Sequence, residues 1–330
     1  MKKNRGKQVC QWALALLVGF FIVNGLCFAY ERQTGWLDTP GGPAASIWRP
    51  GTVIVHGTEG YGISRVDENG YLNPAGNLAD TYVLMMGSSH TQGKEIPQQQ
   101  RYSTLVSDYF SGGSGLLSAY NIASDGHFLT SQIRHFAAAV AAFPDAGAIT
   151  MELGSTDASP QELRACRDQA PYTPVSFDSL STAGRLKLAA KEGLPLLNLL
   201  RKNIQTMRAY AAQDTGNQSD YEQELDAALS LIRSEFDGPI AFVYHPTTEV
   251  LTDGTLVLGY SDTWDVFCRL CEKNGIDVID TGPRFRQLYE TEHRLPYGFA
   301  NTTPGDGHLN AQGHRILAEE IISYLEELRV

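Results

Sequence analysis

Residues 83–93 read V-L-M-M-G-S-S-H-T-Q-G, an apolar run that stops at a glycine and continues as two serines and a histidine. A serine directly after a strand sits at the carboxyl edge of a sheet, where the N–H groups of a following helix favour developing negative charge. Its hydroxyl needs a base to attack an ester at neutral pH. Among eight histidines, His308 is placed for that task, in the polar loop N-T-T-P-G-D-G-H-L-N-A-Q-G-H at 301–314. It follows Asp306 by two residues and precedes a helix signal. Taken alone, each segment also suits an ordinary turn or helix cap.

The elements that must position these residues show a βα alternation from Thr81 onward. Y-V-L-M-M, A-Y-N-I-A and G-A-I-T-M-E-L are short apolar strands, with helical spacing in R-Y-S-T-L-V-S-D-Y-F and T-S-Q-I-R-H-F-A-A-A-V-A-A-F between them. P-I-A-F-V-Y-H-P and D-V-I-D-T add two more strands, and an amphipathic helix closes the chain. Such alternation predicts a parallel sheet covered on both faces, with ligands bound beyond the carboxyl ends of the strands. Residues 31–80, rich in glycine and proline, read as an irregular β-rich lead-in. An insertion over about 160–235 reads as helical, and its apolar stretch L-P-L-L-N-L-L-R-K-N-I-Q-T-M-R-A-Y fits a packing helix, a lid or a surface lying against a membrane.

Residues 1–30 stand apart. Lys2, Lys3, Arg5 and Lys7 precede an uncharged stretch from Gln8 to Tyr30, long enough to cross a hydrocarbon core of roughly 30 Å. The positive-inside rule keeps the basic flank in the cytoplasm and places the rest of the chain outside. An uncleaved anchor is preferred over a cleaved signal peptide, because Cys27 and Ala29 form a poor small-x-small site. Beyond that segment 22 basic residues face 37 acidic ones, a balance of −15 that argues against nucleic acid as a partner. Cys268 and Cys271 share one face of a predicted helix with no second Cys/His pair at zinc spacing. That pattern favours buried cysteines over a metal or redox site.

G-S-S-H-T-Q-G at 87–93 resembles the first block of the SGNH (GDSL-type) hydrolases, usually G-D-S-x-T-x-G, and D-G-H-L-N-A-Q-G-H at 306–314 resembles their last block, usually D-x-x-H-L-N-x-x-G-H. The resemblance runs from about residue 80 to the C-terminus. It implies a flavodoxin-like three-layer α/β/α sandwich with a mostly parallel sheet and no cofactor or metal. It also implies Ser89 as nucleophile and His308 as general base. An oxyanion hole would then form from Ser89, Gly126 in Y-N-I-A-S-D-G-H, and Thr156 in G-S-T-D.

Three positions depart from the family's pattern. Ser88 replaces an aspartate, Thr156 an asparagine, and Asp306 stands two rather than three residues before His308. The expected acid is Asp306, with a backbone carbonyl on the His308 ring as the alternative. His90, Gly154, His245 and Asn301 are expected around the substrate pocket. The resulting expectation is an extracytoplasmic serine esterase acting on acylated glycans. Transfer of the acyl group to another hydroxyl and a non-catalytic glycan-binding module are the alternatives.

Overall fold

A computed structural model describes residues 2–32, 35–74, 80–113, 117–168, 172–199 and 218–328. Five parallel strands form its centre: β5 (Thr81–Met86), β6 (Leu117–Asn121), β7 (Ala146–Leu153), β8 (Ile240–Tyr244) and β11 (Asp277–Asp280). Their spatial order is β11-β8-β7-β5-β6. Numbered along the chain this is 2-1-3-4-5, the flavodoxin-like order, whose topological switch lies between β5 and β7.

Alternation along β5 shows how the sheet acquires two covered faces. Tyr82, Leu84 and Met86 enter one core, and Val83 and Met85 the other. Helices Leu129–Ala142, Gln218–Glu235 and Trp264–Lys273 bury their apolar stripes in the first, through residues such as Phe136, Leu225 and Phe267. Tyr102–Gly113, Gly282–Glu292 and Ala311–Leu328 cover the second. The molecule is therefore the expected three-layer α/β/α sandwich.

The expected helical insertion at 160–235 is smaller than its sequence implies. Gln218–Glu235 buries Tyr221, Leu225, Ala228, Leu229 and Ile232, so it is the crossover helix that a parallel β7–β8 connection requires. Pro160–Arg167, with Leu163 and Cys166 buried, also belongs to the core and starts with a Ser159–Glu162 capping box. Of the apolar stretch at 194–210, the part beyond residue 199 lies outside the described residues. Cys268 and Cys271 sit on Trp264–Lys273 as free thiols, and burial pushes the Cys268 thiol up to about 11, so neither is poised as a thiolate.

The lead-in folds as two antiparallel hairpins. One pairs β1 (Trp36–Asp38) with β2 (Ser46–Trp48), and the other β3 (Val53–His56) with β4 (Gly62–Arg65). Arg101, fully buried, fastens it to the sandwich. Its guanidinium donates to Gly93 O at 2.7 Å, Leu72 O at 2.9 Å and the Ser64 hydroxyl. Burial lowers its pKa to about 10 against the opposing Glu95 carboxylate, so it remains charged at neutral pH. A hydrogen bond from a charged donor contributes about 1.5–3 kcal/mol. Arg101→Met is therefore expected to lower the unfolding free energy by at least one such increment, read as a lower denaturant midpoint, while an unchanged midpoint would show that the lead-in is held by other contacts.

Candidate active site

Ser89 begins a single helical turn, Ser89–Gln92, immediately after β5. Ser88 caps that turn, accepting from His90 N, and Gly93 ends it in the left-handed conformation at φ 61°. The turn places Ser89 at the carboxyl edge of the sheet beside the β5/β7 switch. The last helix brings His308 there from the other end of the chain. The Ser89 hydroxyl donates to His308 Nε2 at 2.8 Å.

His308 Nδ1 points at Glu59, not at Asp306. Its N–H donates to Glu59 Oε2 at 2.6 Å, and the His308 backbone N–H donates to Oε1 at 2.7 Å, so one carboxylate fixes both ring and main chain. Asp306 instead accepts from the adjacent Gly307 N–H at 2.8 Å, and it lines the outer part of the cleft. With one intervening residue its carboxylate folds back on its own turn rather than reaching the ring.

Glu59 comes from the β3–β4 turn, and that turn is tightly held. Asn301 accepts from Gly60 N and donates to Gly57 O and Gly60 O, all within 2.9–3.1 Å. Asn301 is thus a clamp on the Glu59 turn rather than a pocket wall. Gly60 and Gly307 both have positive φ, and a Cβ at Gly307 would lie 2.3 Å from Glu59 Oε1. Glycine is needed there for the carboxylate to approach.

Burial alone would lower the His308 pKa. The Glu59 hydrogen bond and the carboxylates of Glu95 and Glu59 outweigh it, and the net shift is upward. Glu95 Oε1 stands 3.9 Å from His308 Nε2. For Glu59, burial would raise the pKa, but its bond to His308 prevails and holds it below the usual carboxylate range.

Behind Ser89 lies a second buried carboxylate, and Ser88 is one of its partners. Glu152, near the end of β7, accepts from Ser88 N at 2.8 Å, Ser88 Oγ at 2.8 Å and Thr91 Oγ1 at 2.9 Å. Its other oxygen is 2.7 Å from His245 Nε2. The Tyr297 hydroxyl lies 2.8 Å from both His245 Nδ1 and Pro246 O. Burial would raise the Glu152 pKa, but the His245 hydrogen bond leads a set of interactions that keep it ionised.

The five other expected site residues meet different outcomes. His245 lines the main cleft, but as the partner of Glu152. Gly154 lines it too, and a Cβ there would lie 2.9 Å from the His245 ring. His90 also lines it, packed at a tilt between His245 and His308 at centroid distances of 4.6 and 5.0 Å. Leu309 N donates to His90 Nδ1, which leaves the proton of the neutral ring on Nε2, and burial holds its pKa well below the ordinary value. Thr156 is withdrawn. It is fully buried, and its hydroxyl pairs with Thr263 Oγ1 at 2.8 Å, so it cannot meet an oxyanion in the cleft. Gly126 is exposed at φ 76°, beside Lys94 and Asp125 on the wall of a second cavity.

The main cleft, about 430 Å³, is lined by Ser88, His90, His245, Tyr297 and the exposed Phe128 among others. That volume suits a small acylated ligand. No cluster of metal-ligating side chains occurs among the described residues.

No protein-family model matches the chain, and no curated protein does. Solved structures similar to it include TesA, at 12% identity and TM-score 0.40, covering 75% of this chain and 99% of that one. An acetyl xylan esterase, AlAXEase, is 12% identical with TM-score 0.42, covering 74% and 99%. A lipolytic protein of the G-D-S-L family from Veillonella parvula is 14% identical with TM-score 0.39, covering 74% and 97%.

The geometry predicts a division between the two acidic residues near His308. Glu59→Gln should lower kcat/KM on the scale of a triad losing its acid, on the order of 10⁴-fold. Because the carboxylate favours the imidazolium, its loss should also move the acidic limb of the pH–rate profile to lower pH. Asp306→Ala should leave the rate near wild type. The reverse pattern would return the acid's role to Asp306.

Proposed function

We propose that this chain is a membrane-anchored serine esterase of SGNH type, facing away from the cytoplasm. One observation carries the proposal: the continuous Ser89–His308–Glu59 relay, assembled from three distant segments. Ser89 Oγ attacks the acyl carbon while His308 Nε2 takes its proton, and Glu59 stabilises the resulting imidazolium. The Ser89 N–H is the proposed donor to the oxyanion. His308 then protonates the leaving alcohol. A water, activated by the same nitrogen, frees the acid and restores Ser89.

O-acetyl groups on cell-surface or secreted glycans are the proposed substrates. The basis is the outward-facing location, together with a cleft that combines an aromatic side chain, hydroxyls and a carboxylate at its mouth. If a sugar hydroxyl replaces water in the second half-reaction, the same site performs acyl transfer.

With p-nitrophenyl acetate, the wild type should turn over and Ser89→Ala should not. Equal turnover by both, or none by the wild type, would remove Ser89 from this role. Addition of an unacetylated oligosaccharide to that assay separates the two outcomes of the acyl-enzyme, because acetate release marks hydrolysis and acetylated oligosaccharide marks transfer.

A further inference from the structure

The apolar N-terminal helix has 25 residues over Gly6–Tyr30 and is long and apolar enough to cross a membrane. At 1.5 Å per residue it exceeds a hydrocarbon core of about 30 Å by only a few ångströms at each end. Asn24 lies six residues before its end, about 9 Å along the axis, which puts its amide below the hydrocarbon boundary. An amide at that depth requires hydrogen-bond partners.

Asn24 finds both partners in one distant corner of the domain. Its Nδ2 donates to Gly193 O at 2.9 Å, and its Oδ1 accepts from Leu196 N at 3.3 Å. Asn24 is consequently buried, at 5% exposure. The corner follows helix Thr182–Gly193 and reads G-L-P-L-L-N-L from Gly193 to Leu199, without a charge. Leu197 is 48% exposed and Leu186, on the helix before it, 68%. Polar contacts tie that helix to the domain: Glu192 accepts from Arg49 at 2.9 Å, and Lys191 lies over the Trp36 ring at 3.7 Å.

Tyr61 adds a second contact at the helix exit, donating to Ala29 O at 3.0 Å. Tyr61 and Ile63 are each 51% exposed, as aromatic and apolar groups at an interface would be. Glu31, just past the helix, accepts from Gly57 N at 3.1 Å. The turn that carries Glu59 therefore abuts the helix end.

We propose that Gly193–Leu197, together with Tyr61 and Ile63 at the helix exit, is a membrane-docking surface that seats in the outer leaflet next to the anchor. It holds the domain with the Glu59 turn toward the bilayer, so esters displayed at the membrane surface are the ones within reach. The inference rests on the anchored reading of the N-terminal helix.

The test uses the unmodified full chain in liposomes that contain a phosphatidylcholine with a diazirine-bearing acyl chain. After irradiation, tryptic peptides are analysed by mass spectrometry. Carbene adducts are expected on the anchor and on the peptide 192–201. Adducts on the anchor with none on 192–201 would overturn the docking surface while leaving the anchor intact. Absence from both would contradict the spanning helix itself, and the docking surface would fall with it.

Discussion

A carboxylate buried at the switch point of the sheet organises everything around it. Glu152 belongs to a strand whose neighbours are almost all apolar, and it has no access to water. An ionised group there survives only with a full set of partners. It takes them from the Ser88 main chain and hydroxyl, from Thr91 and from His245. These bonds fix the turn that presents Ser89 and fix the floor of the cleft formed by His245 and Tyr297. A Cβ at Gly87 would stand 1.9 Å from Thr91 Oγ1 and 2.8 Å from Glu152, so the strand's exit admits only glycine in this arrangement. The position of Ser89 is thus set by electrostatic satisfaction of a neighbouring strand, as much as by the strand it follows.

The reactive relay adds a second carboxylate from outside the sandwich. Glu59 belongs to a hairpin that precedes the sheet in sequence, and three devices deliver it to His308: the Asn301 clamp, the glycine at 307, and the Arg101 guanidinium that ties β4 to the nucleophile loop. The lead-in therefore completes the site instead of merely approaching it. With Glu31 gripping the same turn, the arrangement forms a contact chain from the apolar helix to Ser89.

Much of this was legible in the sequence, and the exceptions have physical causes. Short apolar strands alternating with 3.6-periodic segments give the three-layer sandwich, because burial on both faces leaves a strong pattern. Ser89 and His308 stand in local motifs. Glu59 carries no such signal, since its role depends on tertiary contact with residues far along the chain. Glu152 did leave one: a charged residue inside the apolar run A-I-T-M-E-L must find partners, and the polar turn after β5 was the nearest source. The hairpin β9 (Thr247–Val250) to β10 (Leu256–Gly259), which turns at T-D-G with Gly254 at φ 84°, lacks the alternation that would mark its strands. Gln218–Glu235 was assigned to an insertion because its amphipathic pattern alone does not say which surface it covers.

The central claim is that the relay makes Ser89 uniquely nucleophilic. Its most direct measure is the site of covalent modification by a fluorophosphonate, which traps an activated serine without needing the natural ester. Peptide mass spectrometry should find one stoichiometric adduct, on Ser89, and that adduct should disappear in His308→Ala while Ser88 remains unmodified. An adduct on Ser88, or an unmodified Ser89 in the folded wild-type chain, would contradict the account.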